Sequence, residues 1–191
     1  MNYYEDDENI DHYIEMSQDV NGAALIQILR QYVPHRGSVL ELGMGPGKDL
    51  LLLDQYFRVT GSDLSLNFLQ RFKSRHPDFD VIQLDARDFE IKPLFDGIYS
   101  NKVLQHLTRD ELSQSFRVQL NSLARRGILM HSFWYGEGED HTDGLLSTYY
   151  TEQSLTERIS KAFKVLEMTR YSELEADDSL YVVLGRHDRP D

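Results

Sequence analysis

Short aliphatic runs alternate with segments of helical period over most of this chain, and that alternation constrains the fold more than any other feature. Ser38 to Leu42, Arg58 to Ser62, Asp80 to Leu84, Phe95 to Ser100 and Gly127 to Phe133 read as five strands. Asp49 to Phe57, Leu66 to Lys73 and Arg109 to Leu123 read as helices, the last with Leu112, Phe116, Leu120 and Leu123 on one face. Strands joined through helices return parallel to one another, which predicts an α/β fold with a mostly parallel sheet. Two final runs, Lys164 to Tyr171 and Leu180 to Arg186, are joined only by a polar turn around Ala176 to Ser179. A parallel return needs a longer connection, so these pair antiparallel and complete seven strands.

The flanking segments are read the same way. Apolar residues from Val20 to Val33 follow a helical period that Pro34 and Gly37 stop. The unbroken run Leu50 to Leu53 predicts a helix buried on all sides. The first ten or so residues are acidic and expected to fray or drape over the surface. Gly136 to Gly144 reads as an acidic loop, and Glu152 to Lys161 as a helix.

Composition removes several classes of function. Acidic residues outnumber basic ones 32 to 20, for a net charge of -12, so a nucleic acid meets a repulsive surface. Without cysteine there is no disulfide, no thiolate zinc site and no cysteine nucleophile. No stretch approaches the roughly 20 apolar residues of a bilayer span, and the start of the chain is unlike a signal peptide. The expectation is a single domain over residues 1–191, soluble and cytoplasmic, with no membrane partner and no clear signature of oligomeric state.

The first strand ends in Glu41-Leu42-Gly43-Met44-Gly45-Pro46-Gly47-Lys48. Glycines let the backbone turn tightly and approach a ligand, and the helix after them aims N–H groups at it. A dinucleotide fingerprint places a third glycine where this chain has Lys48, and Pro46 removes one N–H from a diphosphate cradle. The turn therefore suits a nucleoside without a diphosphate. Asp63, 20 residues beyond Gly43, ends the second strand, where a carboxylate can accept both ribose hydroxyls. Asp85 ends the third, where one can accept from an exocyclic amine.

In order, Val39-Leu-Glu-Leu-Gly-Met-Gly-Pro-Gly, Gly61-Ser-Asp-Leu-Ser, Leu84-Asp-Ala-Arg-Asp and Phe95-Asp-Gly-Ile-Tyr-Ser-Asn resemble the successive motifs of class I S-adenosylmethionine-dependent methyltransferases. The resemblance runs from about Val33 to Arg186. It implies a Rossmann-like doubly wound sheet of order 3-2-1-4-5-7-6, S-adenosyl-L-methionine as cofactor and a small-molecule acceptor. It places Glu41 at the bottom of the site, Gly43 and Met44 against the methionine part, Gly45 where a side chain would enter the cofactor's volume, and Asp63 on the ribose. Leu64 falls beside the adenine, with Asp85 and Ala86 at the base edge. Ser100 or Asn101 receives the amino group, and Tyr13 closes over the cofactor.

The sequence after the fourth strand, Ser100-Asn101-Lys102-Val103, lacks the Asn/Asp-Pro-Pro-Tyr pattern of enzymes that methylate adenine or glutamine amides. A hydroxyl or amine acceptor calls for a general base, for which His106 and His131 are candidates. Residues 1–19 form a cap and residues 134–150 an insert or lid over the acceptor, with Tyr4, Trp134 and Tyr149 as candidate substrate contacts. The acids from Glu137 to Asp143 do not fit a twelve-residue calcium loop, so no metal is expected. Two other functions fit parts of the pattern: a non-catalytic adenosyl-binding regulatory module and, less well, a nicotinamide-dependent oxidoreductase.

Overall fold

A computed structural model describes residues 7–16, 20–142 and 144–187. Tyr4 and Asp143 lie outside the described residues, as do all the other residues before Asp7. Seven strands form one sheet: β1 (Ser38–Leu42), β2 (Arg58–Asp63), β3 (Asp80–Gln83), β4 (Phe95–Asn101), β5 (Leu123–Trp134), β8 (Phe163–Tyr171) and β9 (Ser179–Arg186). Their order is β3-β2-β1-β4-β5-β9-β8, the first five paired parallel and β9 paired antiparallel with both β5 and β8. Counted within this sheet alone, that is the expected 3-2-1-4-5-7-6. Strand order reverses between β1 and β4, so a crevice opens at their carboxyl ends.

Helices cover both faces. On one, α2 (Ala23–Leu29) and the end of α3 (Lys48–Leu53) bury Leu25, Ile26, Leu29 and Leu53 against Val39, Tyr99, Met130 and Val183. On the other, α5 (Arg109–Ser122) and α6 (Glu152–Thr156) bury Leu112, Phe116 and Leu155 against Leu40, Leu42, Ile98 and Leu129. Neighbouring residues of β1 thus serve opposite layers, as the strand's two-residue period requires. α4 (Leu66–Arg75) packs Leu69 and Phe72 against Met44 and Leu50. A reciprocal cap fixes the start of α5: Thr108 accepts the Glu111 N–H and the Glu111 carboxylate accepts that of Thr108, worth about 1 kcal/mol.

Four expectations are corrected. The leucine run in α3 is buried on one side only: Leu50 and Leu53 are 0% exposed, Leu51 37%. The acidic segment at the start contains a helix, α1 (Asp7–Met16), anchored by the fully buried Ile10. The expected loop from Gly136 to Gly144 contributes half of a hairpin, β6 (Glu139–Thr142) with β7 (Leu145–Thr148). The helix expected over Glu152 to Lys161 ends at Thr156. No helix among the described residues is long and apolar enough to cross a membrane.

Candidate active site

Two joined cavities occupy the crevice. The smaller, about 400 Å³, is bounded by Gly45, Asp63, Leu64, Asp85 and Ala86, among others. The larger, about 560 Å³, is bounded by Glu41, Met44, Asp49, Asn101, Trp134 and Glu173, among others. Tyr13, Gly43, Lys102, His106 and Leu145 border both, so the two cavities adjoin. Each volume suits a small ligand.

In the smaller cavity Asp63 is 8% exposed and already accepts two backbone N–H groups, from Gly45 and Ser65, each at 2.8 Å. Burial raises its pKa, and those bonds pull it back down. A carboxylate has about four acceptor positions, so two remain for a ligand. Gly45 adopts φ +51, and a Cβ built there meets only Tyr13 Cε1, at 3.6 Å, so the turn leaves its bare backbone facing space. At Gly43 and Gly47 an added Cβ strikes Val103 and Phe72, so those two glycines serve packing. Leu64 is exposed, while Asp85 is gripped by the Arg87 guanidinium at 2.7 Å, which lowers its pKa.

In the larger cavity Glu41 is 3% exposed and its Oε2 has no hydrogen-bond partner. Burial drives its pKa well above the ordinary range, and the charges of Asp49 and Asp63 push the same way. An orphaned buried carboxylate oxygen is costly unless a ligand satisfies it. Tyr13 stands over both cavities from α1, edge-on to Phe68, its pKa raised to about 12 by burial and by the surrounding acids.

Three side chains not singled out in the sequence complete the walls. Asp49 accepts from the Gly22 N–H at 2.7 Å, the Tyr99 hydroxyl at 2.8 Å and Asn101 Nδ2 at 3.1 Å, tying the chain ahead of α2 to the end of β4. Lys102, at φ +56, donates to the Phe133 carbonyl at 3.1 Å, Ser179 Oγ at 2.6 Å and Glu173 Oε2 at 3.1 Å. Its Nζ also lies 3.3 Å from the centre of the Trp134 ring. Burial lowers its pKa to about 8, which leaves it charged at neutral pH. Glu173 comes from the turn between β8 and β9, which Asp178 holds by accepting the N–H groups of Glu173, Leu174 and Glu175.

The two histidines separate. His106 faces both cavities and donates Nδ1–H to the Leu146 carbonyl of β7 at 2.6 Å, which leaves the Nε2 lone pair without a partner among the described residues. Burial lowers its pKa. His131 is 0% exposed and lies away from the cavities, with Nδ1 2.8 Å from Ser100 Oγ and Nε2 2.8 Å from Gln119 Oε1. Gln119 spends its NH₂ on Ser115, so its Oε1 accepts from Nε2–H and the ring is neutral; burial lowers its pKa to about 3. His131 and Ser100 are directly paired across β5 and β4, and both side chains turn to the buried side of the sheet. Asn101, the next residue, points into the larger cavity. Trp134 borders that cavity as well, whereas Tyr149 borders neither.

A seven-stranded sheet of this order, with its ligand crevice at the ends of β1, β2 and β4, is the architecture of class I methyltransferases. Residues 39–127 match the family described as a methyltransferase domain. Among solved structures, the 1,6-didemethyltoxoflavin-N1-methyltransferase of Burkholderia thailandensis superposes with a TM-score of 0.81 at 19% identity, over 95% of this chain and 85% of that one. An S-adenosylmethionine-dependent methyltransferase from Clostridium acetobutylicum gives 0.75 at 12% identity, over 95% and 99%. Among curated proteins, a trans-aconitate 2-methyltransferase of Shigella flexneri serotype 5b (strain 8401) is 30% identical over 98 residues, 50% of this chain and 39% of that protein. One from Escherichia coli O7:K1 (strain IAI39 / ExPEC) is 29% identical over 126 residues, 64% and 50%. The chain spans half or less of the length of these curated relatives.

Proposed function

We propose that the chain binds S-adenosylmethionine across the two joined cavities and transfers its methyl group to a small-molecule acceptor in the cytoplasm, the compartment that holds this cofactor. The observation that carries the proposal is the orphaned Glu41 Oε2 facing one cavity while Asp63 offers spare acceptor positions to the other. These are the partners that an α-amino group and a ribose need at the two ends of one ligand. When bound, the cofactor supplies a methyl group already activated by its sulfonium. Asp63 and the bare Gly45 backbone receive the nucleoside, with Leu64 and Ala86 beside the base. Glu41 and Asn101 receive the polar end, and Tyr13 stands over both cavities. The chain's remaining contribution is to hold the acceptor in line and keep water away, which can lower a barrier by about 7–11 kcal/mol.

His106 Nε2 is placed to take a proton from the acceptor, and the β6–β7 hairpin, through Thr142, Leu145 and Ser147, roofs the acceptor side. The acceptor class has support from relatives named for trans-aconitate and didemethyltoxoflavin, both small molecules. The test is calorimetric titration with S-adenosylmethionine, S-adenosylhomocysteine and NAD, followed by transfer of labelled methyl into a metabolite extract. Binding of the adenosyl ligands with label transfer is expected. Binding without transfer to any pool indicates a regulatory module, and preference for NAD overturns the assignment.

A further inference from the structure

The charged side chains that border the larger cavity are Glu41, Asp49, Glu173, Lys48 and Lys102. Both lysines are already hydrogen-bonded within the chain, Lys102 through all three of its donors. Lys48 donates to the Val20 carbonyl at 3.0 Å, and the three N–H bonds of Lys102 go to Phe133, Ser179 and Glu173 while Trp134 covers it. Glu41 and Asp49 lie at the cofactor end, on β1 and at the start of α3. Glu173 reaches the cavity from another element, the β8–β9 turn, beside Leu174, and shares the Lys102 ammonium with the Trp134 ring.

Its two oxygens are unequal. Lys102 Nζ at 3.1 Å, the Tyr171 hydroxyl at 3.1 Å and Ser179 Oγ at 3.4 Å all converge on Oε2. Oε1 has no partner among the described residues, and Glu173 borders the cavity. The carboxylate is therefore clamped on one side and offers an acceptor on the other, in a chamber where Lys102 has no donor left.

We propose that the methyl acceptor is a small nitrogen nucleophile, an amine or a ring N–H, and that Glu173 Oε1 recognises it by accepting that N–H; this rests on the methyltransferase reading above. The charge balance of the reaction favours the same class. The lone pair of a neutral nitrogen forms the new C–N bond while the C–S pair remains on sulfur, so the positive charge migrates from sulfur to nitrogen. The surplus proton then leaves to His106 Nε2 or to water. A carboxylate beyond the nitrogen stabilises that migration most when it is most advanced. With a carboxylate acceptor, the same Glu173 instead opposes a like charge, a juxtaposition that costs affinity. A polycarboxylate such as trans-aconitate meets three carboxylates in this chamber, where Lys102 is already fully committed.

The experiment uses the protein saturated with S-adenosylhomocysteine and matched probes at millimolar concentration: benzylamine against benzoate, tyramine against 3-(4-hydroxyphenyl)propionate, and trans-aconitate alone. Binding is read by saturation-transfer NMR. At least a tenfold preference for the ammonium members is expected, with trans-aconitate unbound. Glu173→Gln should abolish that preference and leave S-adenosylhomocysteine affinity within twofold. Because this change strands a buried lysine, the double variant Glu173→Gln with Lys102→Met is measured beside it and should likewise lose the preference. Equal or tighter binding of the carboxylates, no binding of either class, or a preference that survives in a folded variant overturns the inference. Failure of S-adenosylhomocysteine itself to bind sinks the cofactor assignment instead, so the two failures are distinguishable.

Discussion

Gly45→Ala separates the backbone demand of the glycine turn from its role as a ligand surface. Gly45 sits at φ +51, where a side chain costs about 1–2 kcal/mol. In a domain of this size each kcal/mol shifts Tm by about 2–4 °C, so strain alone lowers it by about 2–8 °C. The new methyl group meets only Tyr13, so the fold accommodates it, and the Asp63 bond to the residue 45 N–H is kept. A ligand filling the crevice has no such room. An extra methyl in a filled site costs about 1–3 kcal/mol, or about 5- to 150-fold in Kd. Gly138→Ala is the control: it has φ +88 with no atom within 4 Å of the added carbon, and Gly138 borders neither cavity. Both variants should lose Tm in scanning calorimetry, but only Gly45→Ala should lose S-adenosylhomocysteine affinity in titration calorimetry. Equal affinities in the two variants, within twofold of the unaltered chain, would falsify the placement of the ligand against this turn.

Asp63→Asn replaces an oxygen that accepts from Gly45 or Ser65; hydrogen bonds to a charged group are worth about 1.5–3 kcal/mol, so urea unfolding should show a loss of that order and cofactor affinity should fall more than tenfold. Glu41 binds its proton more tightly in the folded state than in the unfolded, so its contribution to stability declines as pH rises above its ordinary 4.5. Glu41→Gln should therefore gain Tm relative to the unaltered chain as pH rises, while binding S-adenosylmethionine less tightly; parallel Tm curves would contradict the buried charge. His106→Ala should lower turnover by about 10²-fold or more with cofactor affinity little changed. In the unaltered enzyme the rate should fall as pH drops through a value below 6.5, because burial lowers the pKa of the base and protonation removes its lone pair. An unchanged rate in His106→Ala returns that imidazole to a packing role.

What the sequence made legible was local. The glycine turn and Asp63 belong to a strand and the residues just beyond it, so their spacing alone brings them to one crevice. The terminal hairpin followed from the shortness of its turn. Glu173, Lys102 and Asp49 were not legible, because each acquires its role from partners on distant segments: Lys102 is a residue after β4 until β5 and the β8–β9 turn close around it. The β6–β7 hairpin was missed because all four residues of β6 are exposed and polar, which erases the two-residue alternation. Ser100 was read as a site residue from the family resemblance, and His131 as a candidate base on the fifth strand. The register that pairs them, which only the assembled sheet reveals, turns both away.

The bond that orients His106 ends on a main-chain carbonyl, that of Leu146. Every amino acid at position 146 presents the same oxygen, so the tautomer of the imidazole is indifferent to which residue stands there. Leu145 and Ser147, on either side, border the larger cavity instead. A library diversified at these two positions can thus reshape which acceptors fit while the proton-accepting nitrogen keeps its aim, a separation of selectivity from chemistry that makes this hairpin the natural place to begin redesign.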